Sequence, residues 1–508
     1  MVAGGSKFAD LVDDKDYWVI DLLLGVPLDR RVKGGEDITI HASIIYGKKT
    51  KHDRPPTIRQ PCDAWFHYAN HAHNKPFLVY LCGGPGDENT YTKTPAVNKF
   101  AIERGYQVLH LDYRGTGRIP LNTSKYSRPA EMAEYLSLFT QDKIAQDLES
   151  VRMWLSTLLA IHDLKFTLLA QSFGGWIAMT YLSYFPTSIQ EILLTAAMPP
   201  FTKTPQQVYQ SLCKRVINRN EKYYELYPTD AALVRKVVMQ LFNRAYKQEN
   251  KGEALEDGRR LGYDTLLSLG RLFGGSGRGS FDKVHNFVVK LSKDLVAAGT
   301  TGPIPADTLA QFASKDLESF RLHQRPLYGL LHEAIYCHSP GIQSNWAAYN
   351  AAVEVSGDPN LPNTGPCPQS FTWLASSPTK LCAGFMKRCY GPKSEYDPTM
   401  YFSGEMIHPS MLEDHKLTAN ILSKKDDWEH LYDRERIRAN PYNVPVRSIV
   451  YKGDMYVDWE ISLDMGMQIG GPCEVYLVSP RGEWTHGAVK QPGKTEKVLG
   501  LLFDGVMW

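Results

Sequence analysis

Three side-chain types, far apart in the chain, could together drive a hydroxyl onto a carbonyl carbon: Ser172, His486 and an aspartate at 454 or 458. A serine hydroxyl is a weak nucleophile until an imidazole takes its proton, and a carboxylate keeps that imidazole in the receptive tautomer. Ser172 lies in FTLLAQSFGGW, Phe166 to Trp176. Phe166 to Leu169 is an apolar run long enough for one buried strand, and Gly174-Gly175 opens a helical pattern that continues through Ile177, Met179 and Tyr181. A strand, a sharp turn with serine at its apex and a closely packed helix make a nucleophile elbow. The usual pattern is G-x-S-x-G, and Ala170 replaces its first glycine, which is tolerable if the φ of Ala170 is negative. A serine between small residues is also common in plain loops, so the elements around it must decide.

Those elements follow the chain. Tyr17 to Leu24 and Ile38 to Tyr46 alternate apolar and polar residues and read as antiparallel strands leading into a sheet. Pro76 to Leu81 is apolar on both faces and predicts a central strand, followed at once by Cys82-Gly83-Gly84-Pro85-Gly86. A turn at Gly83 and Gly84 can expose N–H groups to a developing oxyanion, although an ordinary glycine-rich turn has the same composition. Tyr106 to Leu111 is a strand that ends in Asp112-Tyr113-Arg114, where Asp112 and Arg114 are expected to brace loops rather than do chemistry. Ile144 to Ile161 has helical spacing, and Ile189 to Leu194 is a further strand. From about 201 the pattern changes to helices, at Val208–Val216, Ala231–Tyr246, Tyr263–Leu272, Val284–Ala297 and Thr308–Phe320. Residues 359–392, rich in Pro, Cys and Gly, read as a surface excursion of this insertion.

Strand patterns return at Pro445–Tyr451 and Glu474–Val478. Asp454 follows the first directly behind Gly453, and His486 follows the second in a glycine-flanked loop. Ser, Asp, His in that order, each past the end of a strand, is the arrangement of the α/β-hydrolase fold. The expected architecture is therefore α/β: a mostly parallel sheet flanked by helices, carrying a large, mainly helical cap insertion. Residues 1–200 and 441–508 would form the two parts of the core and 201–440 the cap. Asp454 is favoured as the acid over Asp458, and either could instead be a helix N-cap or a turn aspartate. The second half of the oxyanion hole falls to the N–H of Phe173, after the nucleophile.

Composition excludes several classes. A net charge of +2 over 508 residues gives no reason to expect nucleic acid or an anionic membrane as partner. Eight scattered cysteines without a CxxC, and no matched histidine cluster, predict neither a metal site nor a disulfide framework. No cofactor is implied. The N-terminal residues have no signal-peptide pattern, and no run is long enough to span a bilayer, so a cytoplasmic protein with reduced thiols is expected.

In order along nearly the whole chain, the motifs VPLD (Val26 to Asp29), GGPG, D-x-R-G-x-G, Q-S-F-G-G, LHEAIYC, SNWAA, GEMIHP and GDMYVD resemble the proline iminopeptidases, most closely the longer fungal type. The resemblance implies a serine hydrolase that removes an N-terminal residue, typically proline, from a peptide. A free α-amine is largely protonated at neutral pH, and burying that cation requires a carboxylate. Glu333 and Glu405, both in apolar and aromatic stretches, match the positions of the cap glutamates that bind the amine in this family. The alternative for each is an arginine partner inside the cap. Trp346 is a candidate wall for the pyrrolidine ring, or else cap core. The chain departs from the family at Cys82, where a histidine is usual, and at Ala170 and Ile119. These departures bear on substrate preference more than on reaction type. Two other readings stay open: an esterase or amidase acting on a small metabolite with the same triad, and a hydrolase-fold protein that only binds.

Overall fold

The computed structural model describes residues 7–13, 16–48, 61–248, 252–256, 258, 260–275, 278–314, 317, 326–356, 400–404, 412, 415–478 and 484–505. Nine strands form one sheet: β1 (Lys7–Asp13), β2 (Tyr17–Pro27), β3 (Asp37–Gly47), β4 (Phe77–Leu81), β5 (Gln107–Leu111), β6 (Phe166–Gln171), β7 (Ile189–Thr195), β10 (Val446–Tyr451) and β11 (Cys473–Val478). Between β7 and β10 the short strands β8 (Glu253–Ala254) and β9 (Arg260–Leu261) pair only with each other. The order across the large sheet is β1-β2-β3-β5-β4-β6-β7-β10-β11.

The first three strands run antiparallel and the remaining six parallel. This division follows composition. Every residue of β4, β5 and β6 is buried, as strands covered by helices on both faces require, whereas β11, at the edge, is only half-buried. β10 pairs with β7 in register, Val446 opposite Ile192 and Ile449 opposite Thr195, so the chain rejoins its own sheet after an excursion of some 250 residues. The α/β-hydrolase reading of the sequence holds.

Most of that excursion is helical. The helix Pro205–Leu226 begins with a reciprocal cap: the Thr204 hydroxyl accepts from Gln207 N at 3.3 Å, and the Gln207 side chain accepts from Thr204 N at 3.0 Å. Pro205 costs nothing at the first helical position, where its missing N–H would have no partner. Helices follow at Asp230–Lys247, Arg278–Ala298, Ala306–Ala313, Pro326–Leu331, Ala347–Ser356, Lys416–Ser423 and Arg434–Ala439. Two expectations change. The helix expected over Tyr263–Leu272 ends at Leu267 and tightens into a 3-10 segment, Ser268–Gly274. Gly270 there abuts the 400–404 segment so closely that a Cβ would lie 2.5 Å from Phe402 Cβ. The helix expected over Thr308–Phe320 is Ala306–Ala313, after which Ser314 is extended. The 359–392 excursion lies outside the described residues.

Asp112 and Arg114 are buried braces, as expected. Arg114 makes a bidentate pair with Asp147 at 2.7 and 2.8 Å and donates to the carbonyls of Leu28 and Leu138. Asp112 accepts from His41 Nδ1 at 2.9 Å and from the N–H groups of Asn89 and Arg118.

Candidate active site

β6 ends at Gln171, and Ser172 takes a left-handed φ of +56° before the helix Gly174–Tyr184 begins. Left-handed backbone disfavours a residue with a Cβ, so the turn holds its serine under strain, as a nucleophile elbow does. The flanking residues are small for measurable reasons. A Cβ on Gly174 would stand 2.2 Å from Leu81 O and one on Gly175 1.6 Å from Ala197 O, because the helix start presses on the ends of β4 and β7. Ala170 is a fully buried strand residue opposite Leu81 and Leu194, with no positive φ, and so fits where glycine is usual.

The loop after β4 folds over this serine. A Cβ on Gly83 would lie 3.1 Å from Ser172 Cβ and 3.4 Å from its Oγ, so any side chain there would crowd the hydroxyl. Gly84, at φ +148°, stands beside the Phe173 ring. Phe173 itself is the N-cap residue of that helix, where Gly175 N donates to Ser172 O at 2.8 Å and Trp176 N to Phe173 O at 3.0 Å. Cys82 faces away into the core. Its Sγ lies 3.8 Å from Asp87 O, its carbonyl accepts from Tyr113 Oη at 2.9 Å, and burial pushes its thiol up to about 12.

The loops after β10 and β11 meet at the same edge of the sheet. His486 Nδ1 and Asp454 Oδ2 are 2.8 Å apart, and both side chains are buried. The second Asp454 oxygen accepts from the N–H groups of Tyr456 (2.8 Å) and Val457 (3.1 Å), which fixes the carboxylate plane. Asp458 is engaged elsewhere. It caps the helix Trp459–Gly466 through Ile461 N and takes Ser211 Oγ and Arg215 Nε, each at 2.7 Å, tying the core to the helix Pro205–Leu226. The Tyr456 ring stands edge-on to His486 at 4.8 Å and its hydroxyl donates to Arg271 O. Tyr456 fits because Gly274 has no side chain: a Cβ there would be 2.1 Å from the tyrosine ring.

The segment 326–337 sits on the elbow from above. Gly86 packs against it so tightly that a Cβ would lie 2.9 Å from Tyr328 N, and the Tyr336 ring meets Trp176 at 6.1 Å. This segment carries Glu333, which is half-buried. Its two oxygens accept from Ala347 N (3.2 Å) and Ala348 N (3.0 Å), the leading N–H groups of the helix Ala347–Ser356. Burial raises the carboxyl above its ordinary value, against the two N–H groups and the Ser344 hydroxyl, which favour the anion. Among the described residues, no arginine pairs with it. Asn345 and Trp346 reach the helix start through left-handed φ values of +45° and +56°.

Trp346 is not placed on the elbow. Its indole Nε1 donates to Asn420 Oδ1 at 3.3 Å and its ring packs on the apolar cluster of Leu327, Leu331 and Trp428. Tyr336 faces the elbow helix with Tyr209 behind it at 5.5 Å, and His332 is held by Tyr209 Oη at 3.0 Å with its ring tilted against Tyr328 at 4.8 Å. Sequence reading noted these stretches as aromatic without separating Tyr336 from Trp346, since no spacing rule reports which ring meets a residue 160 positions away. Glu405 lies outside the described residues. Among the described residues no group of three or more His, Cys, Asp or Glu side chains is placed to hold a metal ion, and no helix is long and apolar enough to cross a membrane.

Residues 76–228 match a family model described as the alpha/beta hydrolase fold. A proline iminopeptidase of Aeromonas sobria is 31% identical over 399 residues, which are 76% of this chain and 78% of that one. This chain belongs to the proline iminopeptidase family. It is accordingly a hydrolase of the prolyl aminopeptidase type. A second relative, proline iminopeptidase aneH of Aspergillus aculeatus, is 28% identical over 442 residues, 84% of each chain. The crystal structure of a proline iminopeptidase from Mycobacterium smegmatis aligns over 95% of this chain and 98% of its own, at 14% identity and a TM-score of 0.32. Cys82 and Ala170 are both buried beside the elbow.

Proposed function

We propose that this enzyme releases the N-terminal residue of a peptide, proline in preference, through an acyl-enzyme formed on Ser172. The observation that carries the reading is the buried Asp454–His486 pair at 2.8 Å, set at the strand ends where the strained Ser172 elbow also lies. In this scheme Ser172 Oγ attacks the scissile carbonyl as its proton passes to His486 Nε2. The Asp454 carboxylate holds the proton on Nδ1 and stabilises the imidazolium. The oxyanion accepts from the N–H of Phe173 and from the Gly83-Gly84 turn. Collapse expels the amine, which takes the proton from His486, and water then releases the acyl group with His486 as base.

Residues 201–440 act as the cap that makes the enzyme an exopeptidase. Two helix N–H groups and the Ser344 hydroxyl engage Glu333, fewer than the about four acceptor positions of a carboxylate, which leaves capacity for an ammonium group. A bound α-ammonium would compensate the carboxylate that burial disfavours, and an acylated amine would not.

The test is hydrolysis of proline β-naphthylamide, its N-acetyl form and a p-nitrophenyl ester, with Ser172→Ala as the blank. Cleavage of the free-amine substrate alone, lost in Ser172→Ala and with KM raised about tenfold or more in Glu333→Gln, is expected. Equal cleavage of the N-acetylated substrate would overturn the amine reading. Ester cleavage without amide cleavage would reassign the enzyme as an esterase.

A further inference from the structure

The insertion between β7 and β10 meets both loops of the Asp454–His486 pair through the 3-10 segment Ser268–Gly274 and the Gly275 that follows it. Three of its carbonyls, two residues apart, each take a donor from outside the segment. Arg271 O accepts from the Tyr456 hydroxyl, in the loop after β10. Gly275 O accepts from the hydroxyl of Thr485, the buried neighbour of His486. Phe273 O, between them, accepts from Arg219 Nε at 2.9 Å and from its Nη2. Arg219 belongs to the helix Pro205–Leu226, is itself buried, and holds its guanidinium 4.7 Å from the Phe281 ring. The segment is therefore tied to the insertion on one side and to the two catalytic loops on the other.

Packing adds to these bonds. The Gly274 backbone lies flush with the Tyr456 ring, and that ring stands at 80° to the His486 imidazole with 4.8 Å between centres. Tyr456 thus reaches three groups at once. Its N–H goes to Asp454 Oδ1 at 2.8 Å, its ring to His486 and its hydroxyl to the insertion. A hydrogen bond at Nδ1 fixes one point of an imidazole, whereas proton transfer at Nε2 also depends on the plane of the ring. The Tyr456 edge bounds that plane, and Thr485 fixes the backbone on which His486 is mounted.

We infer that the 268–275 segment sets the His486 imidazole for proton transfer, with Tyr456 and Thr485 as its positioning residues. This rests on the Ser172, Asp454 and His486 reading, and adds that the insertion serves the chemical step as well as the choice of substrate. A misplacement of about 1 Å in a catalytic group costs about a hundredfold in rate. Contacts that merely glued the insertion to the sheet would show in stability and leave the rate of the folded enzyme alone.

The experiment uses Thr485→Val, which keeps the volume and removes the hydroxyl, Thr485→Ser, which keeps the hydroxyl, and Gly274→Ala, whose Cβ would press on the Tyr456 ring from 2.1 Å. Two rates are read: turnover of proline β-naphthylamide, and phosphorylation of Ser172 by diisopropyl fluorophosphate, a reagent with no α-amine for Glu333. Both should fall together, about tenfold in Thr485→Val and about ten- to a hundredfold in Gly274→Ala, with KM within about twofold of wild type. Thr485→Ser should restore them. Wild-type rates in Thr485→Val overturn the inference, whether or not Gly274→Ala folds, and so does a raised KM with an unchanged phosphorylation rate. If Ser172 of the wild type is not phosphorylated, the triad reading fails first. The downfield proton signal of His486 Nδ1–H, identified by its loss in His486→Gln, then judges the segment separately. A signal shifted or lost in Thr485→Val supports the positioning role, and an unchanged one refutes it.

Discussion

Asparagine at position 454 and asparagine at position 458 should separate turnover from stability. At 454 the substitution keeps the oxygen that accepts from Tyr456 and Val457, so the loop retains its two anchoring bonds. The change falls on the other side. Where Asp454 Oδ2 accepts from His486 Nδ1 at 2.8 Å, the amide NH2 now donates, and the imidazole must turn its lone pair to Nδ1 and carry its proton on Nε2. That tautomer cannot accept the Ser172 proton. The expected loss in kcat is about 10³–10⁴-fold, about 4–5.5 kcal/mol in the barrier, with the unfolding midpoint nearly unchanged. At 458 the balance reverses. The helix cap to Ile461 can persist, but the buried charge facing Arg215 and Ser211 is lost, which should lower stability by about 2–3 kcal/mol and kcat by less than about tenfold. Steady-state hydrolysis of proline β-naphthylamide with urea unfolding of the same preparations gives both numbers. If the 458 variant loses more turnover than the 454 variant, the assignment of the acid is wrong.

The other predictions use the same preparations. Ser172→Gly and Ser172→Ala should both be inactive, yet the glycine variant should be more stable by about 1 kcal/mol, because the φ of +56° no longer strains a residue with a Cβ; a less stable glycine variant would remove the case for a strained elbow. His41 gives a pH dependence. Burial alone would lower its pKa, but hydrogen bonds to Asp112 and Asp21 raise it from 6.5 to about 9. A raised histidine contributes its full stabilisation below 6.5 and loses it as pH rises through about 9, a change of about 3 kcal/mol at most. The stability gap between wild type and His41→Gln should therefore be large at pH 6 and mostly gone at pH 10, and a gap independent of pH would refute the linkage.

What could be read from the sequence depended on the range of the interaction. The central strands were legible because burial on both faces leaves an unbroken apolar run, and the elbow because its backbone contacts tolerate only small residues within five positions. His486, singled out by its glycine-flanked place after the last strand, lies 2.8 Å from Asp454. The candidate acid was readable only as a loop: Asp454 and Asp458 differ in which partner, His486 or Arg215, comes to them from a distant segment. The same limit explains Trp346, whose partner Asn420 is 74 residues away. The strand β1 and the helices Pro61–Ala72 and Pro129–Leu136 went unread, the last because its apolar face is completed by cap residues such as Leu331 and Trp428. Gly274 looked like part of a glycine-rich stretch, and only its contact with Tyr456 shows why a side chain is excluded there.

The pairing of β7 with β10 sets a timetable for synthesis. When Ile192, Leu193 and Leu194 leave the ribosome, one edge of β7 is satisfied by β6, and the other must wait until Val446 to Ile449 are made. At the usual pace of about 5–20 residues per second, that edge stays open for roughly ten seconds to most of a minute. An open strand edge with three consecutive apolar residues is a template for pairing with other chains. The intervening helices emerge in exactly that interval, so their early collapse over the unfinished sheet would shield the nascent chain from aggregation before they serve any substrate. Shortening the stretch between the two strands would then alter yield and solubility as directly as it alters the site.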